Sequence, residues 1–311
     1  MREVTLGQSD LKVSQLAYGC MRISRTWDPA KITPEFVDQG VASLLAAYDA
    51  GYTLFDHADI YGRGECEKIH GIALERNPSL RASTIIATKC GIRFGGDPEP
   101  GSPHRYDFSK EHILWSAEQS LRRLKVDTID VYQLHRPDIL MNPDDVCEAF
   151  TQLYESGKVR WFGVSNFLPS FVSLLQSRLP YPLLVNQVEV HAGRLDCFVD
   201  GTLDQCIEKK MTPLSWSPLG GGWLGDSTTE SVEDPVKLNV LAKLDAIREK
   251  YGISRTAMSL AWLLKHPSGI IPIVGSTNPS RIRDAVNSTE VNLTREEWYE
   301  IYVAARGVGL P

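Results

Sequence analysis

Residues 33–56, TPEFVDQGVASLLAAYDAGYTLFD, contain one complete unit of the pattern that decides the fold. Thr33 is a candidate N-cap, and Pro34 sits at the first helical position, where its missing N–H costs nothing. Val41, Leu44, Leu45 and Tyr48 then recur on one helical face. Gly51 stops the helix in the usual C-terminal position, and Tyr52–Asp56 reads as a short strand.

The unit repeats in both directions. Gln15–Gly19 is the first strand. Strand Thr84–Thr88 precedes a helix capped by Ser109, with Ile113, Leu114, Ala117, Leu121 and Leu124 turned inward. Strand Thr128–Gln133 precedes a helix opening at Asn142-Pro143 and stopping at Gly157. Strands Trp161–Ser165 and Leu183–Gln187 precede the helical stretches Phe171–Leu175 and Leu203–Lys210. Strand Thr212–Trp216 precedes helices spanning about Val236 to Lys265, and strand Ile270–Val274 precedes Ser280–Ser288. Eight strand-then-helix units favour a closed parallel (β/α)8 TIM barrel over an open doubly wound sheet. An open sheet would want G-x-G-x-x-G after its first strand, and Gly19-Cys-Met-Arg-Ile-Ser has none. An N-terminal β-hairpin (residues 3–13) and a short C-terminal helix (Thr294–Arg306) frame the barrel. With no linker, low-complexity segment or charge block, residues 1–311 are expected to form a single barrel domain.

Composition narrows the class of function. The net charge of −6 leaves no basic stripe to neutralise phosphates, which argues against nucleic acid as a partner. No apolar run approaches the roughly 18 residues of a membrane span. The opening Met-Arg-Glu-Val-Thr-Leu-Gly lacks the apolar stretch of a secretion signal. The cysteines at 20, 66, 90, 147, 197 and 206 form no C-x-x-C pair and no metal spacing. They read as reduced thiols in a cytoplasm. The expectation is a cytoplasmic enzyme, monomer or small homo-oligomer, whose partner is a small molecule.

In such a barrel, chemistry sits at the C-terminal ends of the strands. Those ends carry Asp56, Lys89, His135, Ser165, Asn166, Gln187, Trp216, Ser217 and the Gly275–Arg281 loop, with Tyr61 five residues past the second strand. Asp56, Lys89 and His135 should converge over the mouth, with Tyr61 leaning in. That set suits carbonyl reduction. Hydride addition leaves an alkoxide that needs a proton donor, and tyrosine is a poor one, with a reference pKa of about 10. A neighbouring ammonium stabilises the phenolate, a carboxylate holds the ammonium, and a histidine orients the carbonyl. Each member has a bland reading: a structural ion pair for Asp56 and Lys89, a packed core histidine, a tyrosine covering a barrel end. Four such residues at consecutive strand ends are much harder to explain as packing.

These residues resemble the aldo-keto reductase superfamily from about residue 3 to about residue 303, nearly the whole chain. Asp56-His-Ala-Asp-Ile-Tyr61-Gly is similar to the family's D-x-A-x-x-Y-G motif. Thr88-Lys89-Cys, Asp127–His135, Gly157–Phe167, Asn186-Gln187-Val-Glu and Ser217-Pro-Leu-Gly220 resemble its other motifs, in order. The words His-Ala-Asp-Ile-Tyr-Gly, Lys-Cys-Gly-Ile and His-Arg-Pro-Asp look like a bacterial oxidoreductase branch of that superfamily labelled YdhF-like. The resemblance implies Tyr61 as general acid, Lys89 and Asp56 as its tuning partners and His135 as the orienting histidine. It implies NADPH as cofactor and an aldehyde or ketone as substrate. Ser165, Asn166 and Gln187 match residues that hold the nicotinamide carboxamide, and Trp216 matches the aromatic that stacks on its ring. Ser217, Leu219 and Gly220 match the stretch over the pyrophosphate; Gly275, Ser276, Thr277 and Arg281 match the loop around the 2′-phosphate and adenine. Gly19, Met21 and Asp56 complete the implied cofactor-binding set.

The chain departs from the family pattern in two places. Asp284-Ala285 stands where a Glu-Asn pair is frequent, and Gly275 stands where a lysine is often found, so NADPH preference rests mainly on Arg281. Little tail follows the last helix, so substrate selection is expected to fall instead to the loop Gly91–Phe108. That loop carries Arg93, Phe94, His104, Arg105 and Tyr106, and reads equally as a solvated surface insertion. Two other functions compete. One is an NADP(H)-binding redox sensor with slow turnover. The other is a metal-dependent barrel hydrolase, for which His57-Ala-Asp59 is the only candidate ligand pair; no metal is expected.

Overall fold

The computed structural model describes residues 1–226 and 232–311. Its barrel strands are β3 (Ala17–Gly19), β4 (Leu54–Asp56), β5 (Ile85–Cys90), β8 (Ile129–Leu134), β9 (Val159–Ser165), β10 (Leu183–Glu189), β11 (Thr212–Trp216) and β12 (Ile271–Val274). Each pairs in parallel with the next, and β12 closes on β3 through Ile273–Ala17 and Val274–Tyr18. Parallel neighbours need a crossover, and the helices supply it: α1 (Pro34–Asp49), α2 (Glu65–Arg76), α3 (Ser79–Ser83), α4 (Lys110–Leu124), α5 (Pro143–Glu155), α6 (Pro169–Gln176), α7 (Thr202–Glu208), α8 (Pro235–Tyr251), α9 (Arg255–Leu264) and α10 (Pro279–Ala285). The last helix, α11 (Arg295–Arg306), packs back on α8 and opens with a capping box between Thr294 and Glu297. Among the described residues no helix is long and apolar enough to cross a membrane.

The caps read from sequence hold. Thr33, Ser109 and Asn142 each accept a backbone N–H at their helix starts. The buried stripe of α1 is Gly40, Val41, Ser43, Leu44 and Ala47, so Leu45 and Tyr48 flank it rather than fill it. Apolar spacing reveals no helix between Tyr61 and Thr84, yet α2 and α3 are there. The inner face of α2 carries Glu67, His70 and Gly71 among Cys66, Ile69, Ala73 and Leu74, which hides its amphipathic pattern.

Strand alternation places the site. Inside the barrel, Ala17, Leu54, Ala87, Val131, Val185, Leu214, Ile271 and Ile273 form an apolar floor. Side chains two positions on share a face. So Leu54 leads to Asp56, Ala87 to Lys89, Val131 to Gln133 and on to His135, Val185 to Gln187, and Leu214 to Trp216. A polar ring therefore lies directly above the floor, at the C-terminal mouth. The other end is plugged by a hairpin of β1 (Glu3–Thr5) and β2 (Lys12–Ser14), whose Leu6, Leu11 and Val13 join the floor. Gly7 makes this possible: its φ is +54°, and a Cβ there would lie 2.7 Å from the Leu184 carbonyl oxygen.

Gly71 sets the approach of α2 to α4, because a Cβ would fall inside contact distance of the Arg123 carbonyl. Alanine in place of a helical glycine normally stabilises by up to about 1 kcal/mol. Here overpacking against backbone, at about 1–3 kcal/mol, should win. Gly71→Ala is expected to lower the urea unfolding midpoint; a raised midpoint would show that the α2–α4 crossing yields freely.

Candidate active site

Lys89, on β5, is fully buried, and its ammonium has three donors to satisfy. It gives one to Asp56 Oδ1 at 2.7 Å and one to the His57 carbonyl oxygen at 2.6 Å; the Tyr61 hydroxyl oxygen lies at 3.4 Å. Burial alone would lower the Lys89 pKa, but Asp56 and then Tyr61 outweigh it and leave it above its ordinary value. Tyr61 arrives from a tight turn after β4, where Gly62 and Arg63 take left-handed backbone, with φ of +56° and +55°. Burial raises the phenol pKa to about 12, and the Lys89 charge works against that rise without cancelling it. His135 follows β8 and meets the Tyr61 ring edge-on, centroids 5.9 Å apart. Burial, then the charges of Lys89 and Arg136, hold its pKa well below the ordinary histidine value, so the ring is neutral.

A second layer of hydrogen bonds runs from Asp56 around the mouth. Gln187 Nε2 donates to Asp56 Oδ2 at 3.2 Å, and the Ser165 hydroxyl donates to the Gln187 carbonyl at 2.9 Å. Asn166, at φ +60°, donates through Nδ2 to Ser165 Oγ at 2.8 Å and to the His135 carbonyl at 3.3 Å. It accepts the Trp216 indole N–H at 2.9 Å. Trp216, Asn166, Ser165, Gln187, Asp56, Lys89 and Tyr61 are thus one connected network.

Above this network opens a cavity of about 750 Å³. It is lined by Gly19, Met21, Asp56, Tyr61, His135, Ser165, Asn166, Gln187, Trp216, Ser217, Leu219, Gly275, Ser276 and Arg281, so most of the expected residues meet there. Lys89 lies beneath its surface, and Gly220 and Thr277 sit outside the lining; the Thr277 carbonyl instead accepts the Ser43 hydroxyl at 3.3 Å. The lining suits an elongated ligand with an amide at one end and phosphates along it. Gln187 Oε1 is buried without a partner beside Ser165 and Asn166, an acceptor for an amide N–H. Gly221 and Gly275 leave open space where a Cβ would stand, and the cations Arg22 and Arg281 line the same wall. Asp284, which stands where a glutamate is frequent in the family that the sequence resembles, lines the cavity but accepts the Ser254 hydroxyl at 2.5 Å.

Several lining residues were not singled out from sequence: Arg22, Trp27, Ile60, Ile92 and Arg136. Arg136 directly follows His135 and Arg22 lies three residues past β3, so the strand-end rule reached their neighbours. Trp27 comes in over Tyr61 from an irregular loop that carries no periodic signal. The 91–108 loop contributes only Ile92 to the lining. It folds as a small ribbon of β6 (Ile92–Arg93) and β7 (Arg105–Tyr106), with Arg93 paired to Asp97 and Asp107.

The candidate metal pair is also corrected. Asp59 turns away to accept the Ser116 hydroxyl at 2.7 Å, while His57 Nε2 lies 2.7 Å from Nδ1 of His70, with Cys20 close by. The sequence pairing fails because His70 reaches His57 only through the packing of α2. Burial pushes His57 well below its ordinary pKa and His70 down to about 3, so both rings are neutral.

A family model described as the aldo/keto reductase family matches residues 15–305. The chain is 39% identical to the 6-dehydroglucose reductase of Novosphingobium aromaticivorans, over 98% of this chain and 96% of that one. It is 38% identical to the oxidoreductase YdhF of Escherichia coli, over 100% of both chains. The glycerol dehydrogenase structure from Gluconobacter oxydans superposes with a TM-score of 0.84 at 27% identity, covering 99% of this chain and 97% of that one.

Buried histidines held neutral make stability depend on pH. In the unfolded chain His57, His70 and His135 take up protons below about pH 6.5; in the native state their depressed pKa values prevent this. Their contribution is present above pH 6.5 and lost as the pH falls. Asp59, which burial raises to about 7, acts oppositely, but it is one group against these three and His191, which burial lowers to about 4. Lowering the pH from 7.5 to 5.5 should therefore cost at least about 2 kcal/mol in urea unfolding. Equal or greater stability at pH 5.5 would mean that these rings are charged in the native protein.

Proposed function

The chain belongs to the aldo/keto reductase family, and from that premise we propose that it is an NADPH-dependent oxidoreductase that reduces an aldehyde or ketone to an alcohol. The observation that carries the reading is the buried Lys89 ammonium, bonded to Asp56 and within 3.4 Å of the Tyr61 hydroxyl, beside a neutral His135 at the mouth of a large cavity. The relative whose name is 6-dehydroglucose reductase supports the same reaction class. In this reading residues 1–311 work as one barrel unit.

Tyr61 is the general acid in this proposal. A phenol raised to about 12 keeps its proton at neutral pH until negative charge develops on the substrate oxygen. Lys89 then stabilises the phenolate left behind, and Asp56 keeps Lys89 charged and fixed. His135, neutral, donates its N–H to the carbonyl oxygen and orients it. NADPH, when bound, supplies the hydride. Gln187, with Ser165 and Asn166, would hold the carboxamide of the cofactor, and Trp216 would cover its ring. Ser217, Leu219 and Arg22 would follow the pyrophosphate, and Ser276 and Arg281 the adenosine 2′-phosphate. Arg281 is exposed and free of a carboxylate among the described residues, and its planar fork suits phosphate.

Tyr61→Phe should remove at least two orders of magnitude of turnover, a typical share for acid–base catalysis, with NADPH affinity little changed. Steady-state reduction of a reactive aldehyde together with NADPH titration checks both halves, and turnover within about tenfold of wild type would take the role from Tyr61. Arg281→Ala should weaken NADPH binding by about 1.5–3 kcal/mol while NADH binding barely changes. Quenching of tryptophan emission reads both. Equal losses for the two cofactors would leave Arg281 as surface.

A further inference from the structure

The mouth holds a cation that the proposed reaction does not use. Arg136 lines the cavity beside His135, and its guanidinium carbon lies 5.2 Å from the centroid of the Trp216 ring. Among the described residues no carboxylate pairs with it. The acidic groups that share the cavity are engaged elsewhere. Asp56 is held by Lys89 and Gln187, Asp226 accepts the backbone N–H groups of Arg255 and Thr256, and Asp284 accepts the Ser254 hydroxyl. Around Tyr61 the remaining wall is largely apolar, built from Trp27, Ile60, Ile92 and Trp216. A half-buried guanidinium with five donors and, among the described residues, only an indole face as partner is set to take oxygen atoms from a ligand.

We propose that Arg136 determines substrate class: its guanidinium takes the oxygen atoms a substrate carries beyond its carbonyl, either a carboxylate or neighbouring hydroxyls. The site therefore selects oxygen-rich, hydrophilic aldehydes and ketones over hydrocarbon ones. This rests on the carbonyl-reductase reading above. Consecutive positions explain the division of labour. His135 meets the Tyr61 ring edge-on, while Arg136 stands against Trp216. The indole face fixes the fork without using up its in-plane donors, which stay available for a bidentate contact.

The test compares three aldehydes with NADPH: succinic semialdehyde (a carboxylate), glyceraldehyde (hydroxyls) and butanal (neither). Wild type should favour one or both oxygen-rich compounds. In Arg136→Leu the ratio of kcat/KM for the favoured compound to that for butanal should fall at least about tenfold, mainly through KM, as expected when a hydrogen bond to a charged group is lost. Arg136→Lys keeps the charge but not the fork, so it should retain more of the preference for the carboxylate than of that for the hydroxyls. That contrast identifies which oxygen source the site takes, and it carries the test if Arg136→Leu does not fold. A wild type that prefers butanal overturns the proposal. So does an equal loss on all three aldehydes together with weaker NADPH binding, which would mean that Arg136 only positions Trp216. A wild type that reduces none of the three, with NADPH or NADH, sinks the carbonyl-reductase reading itself; unaltered selectivity in an active variant sinks only the role of Arg136.

Discussion

The Lys89 ammonium is a full charge with no access to water, and taking an ion from water costs several kcal/mol even after relaxation. The fold offsets that cost with three oxygen atoms from one short stretch of chain: the Asp56 carboxylate, the His57 carbonyl and the Tyr61 hydroxyl. This requirement reaches outward. Asp56 must itself be held, and Gln187 holds it; Gln187 is tied through its carbonyl to Ser165, Ser165 to Asn166, and Asn166 to Trp216. In a low-dielectric interior an unpaired member of such a network is costly, and Gln187 Oε1 is the one side-chain acceptor of this network left unpaired among the described residues. The geometry of the mouth is therefore coupled to a single buried charge.

Burial and charge act in opposite directions on Tyr61, and burial is the larger effect. The hydroxyl is a weaker acid here than in water, despite the ammonium 3.4 Å away. The ammonium beside it is expected from the sequence to stabilise the phenolate and so ease proton loss. The structure corrects that picture, because the phenol stays protonated at neutral pH. In the proposed reaction the ammonium acts where charge develops, as the proton leaves, rather than on the resting enzyme.

The barrel gives this chemistry a direction. Leu6, Leu11 and Val13 of the hairpin close one end against the apolar floor, so the polar ring can open only at the other. There the cavity lining runs from Trp27, Ile60 and Tyr61 to the glycines of the later strand ends and Arg281. Two elements of the wall share one indole: Trp216 donates to Asn166 and carries Arg136 on its ring. A change at Trp216 would thus be felt at both Asn166 and Arg136.

The eight-unit pattern, the helix caps and the four residues Asp56, Tyr61, Lys89 and His135 were legible in the sequence because each follows from a local rule. A cap depends on the three residues after it, and strand alternation has a period of two, so a polar residue two positions beyond an inward Leu54 or Ala87 must also point inward. What the sequence left open depends on contacts between distant elements. Helix α2 was obscured because its buried face is filled with Glu67 and His70, whose partners Arg123, Thr88 and His57 come from α4, β5 and the turn after β4. Asp59 looked like a partner for His57 but is claimed by Ser116, far along the chain. Arg136 adjoins a recognised residue, yet its lack of a carboxylate partner appears only when every acidic group of the cavity can be seen to be engaged. Local spacing determined which residues face the mouth. Closure of the barrel decided which of them meet, because hydrogen bonds and ion pairs act over a few ångströms between segments that the chain separates by tens of residues.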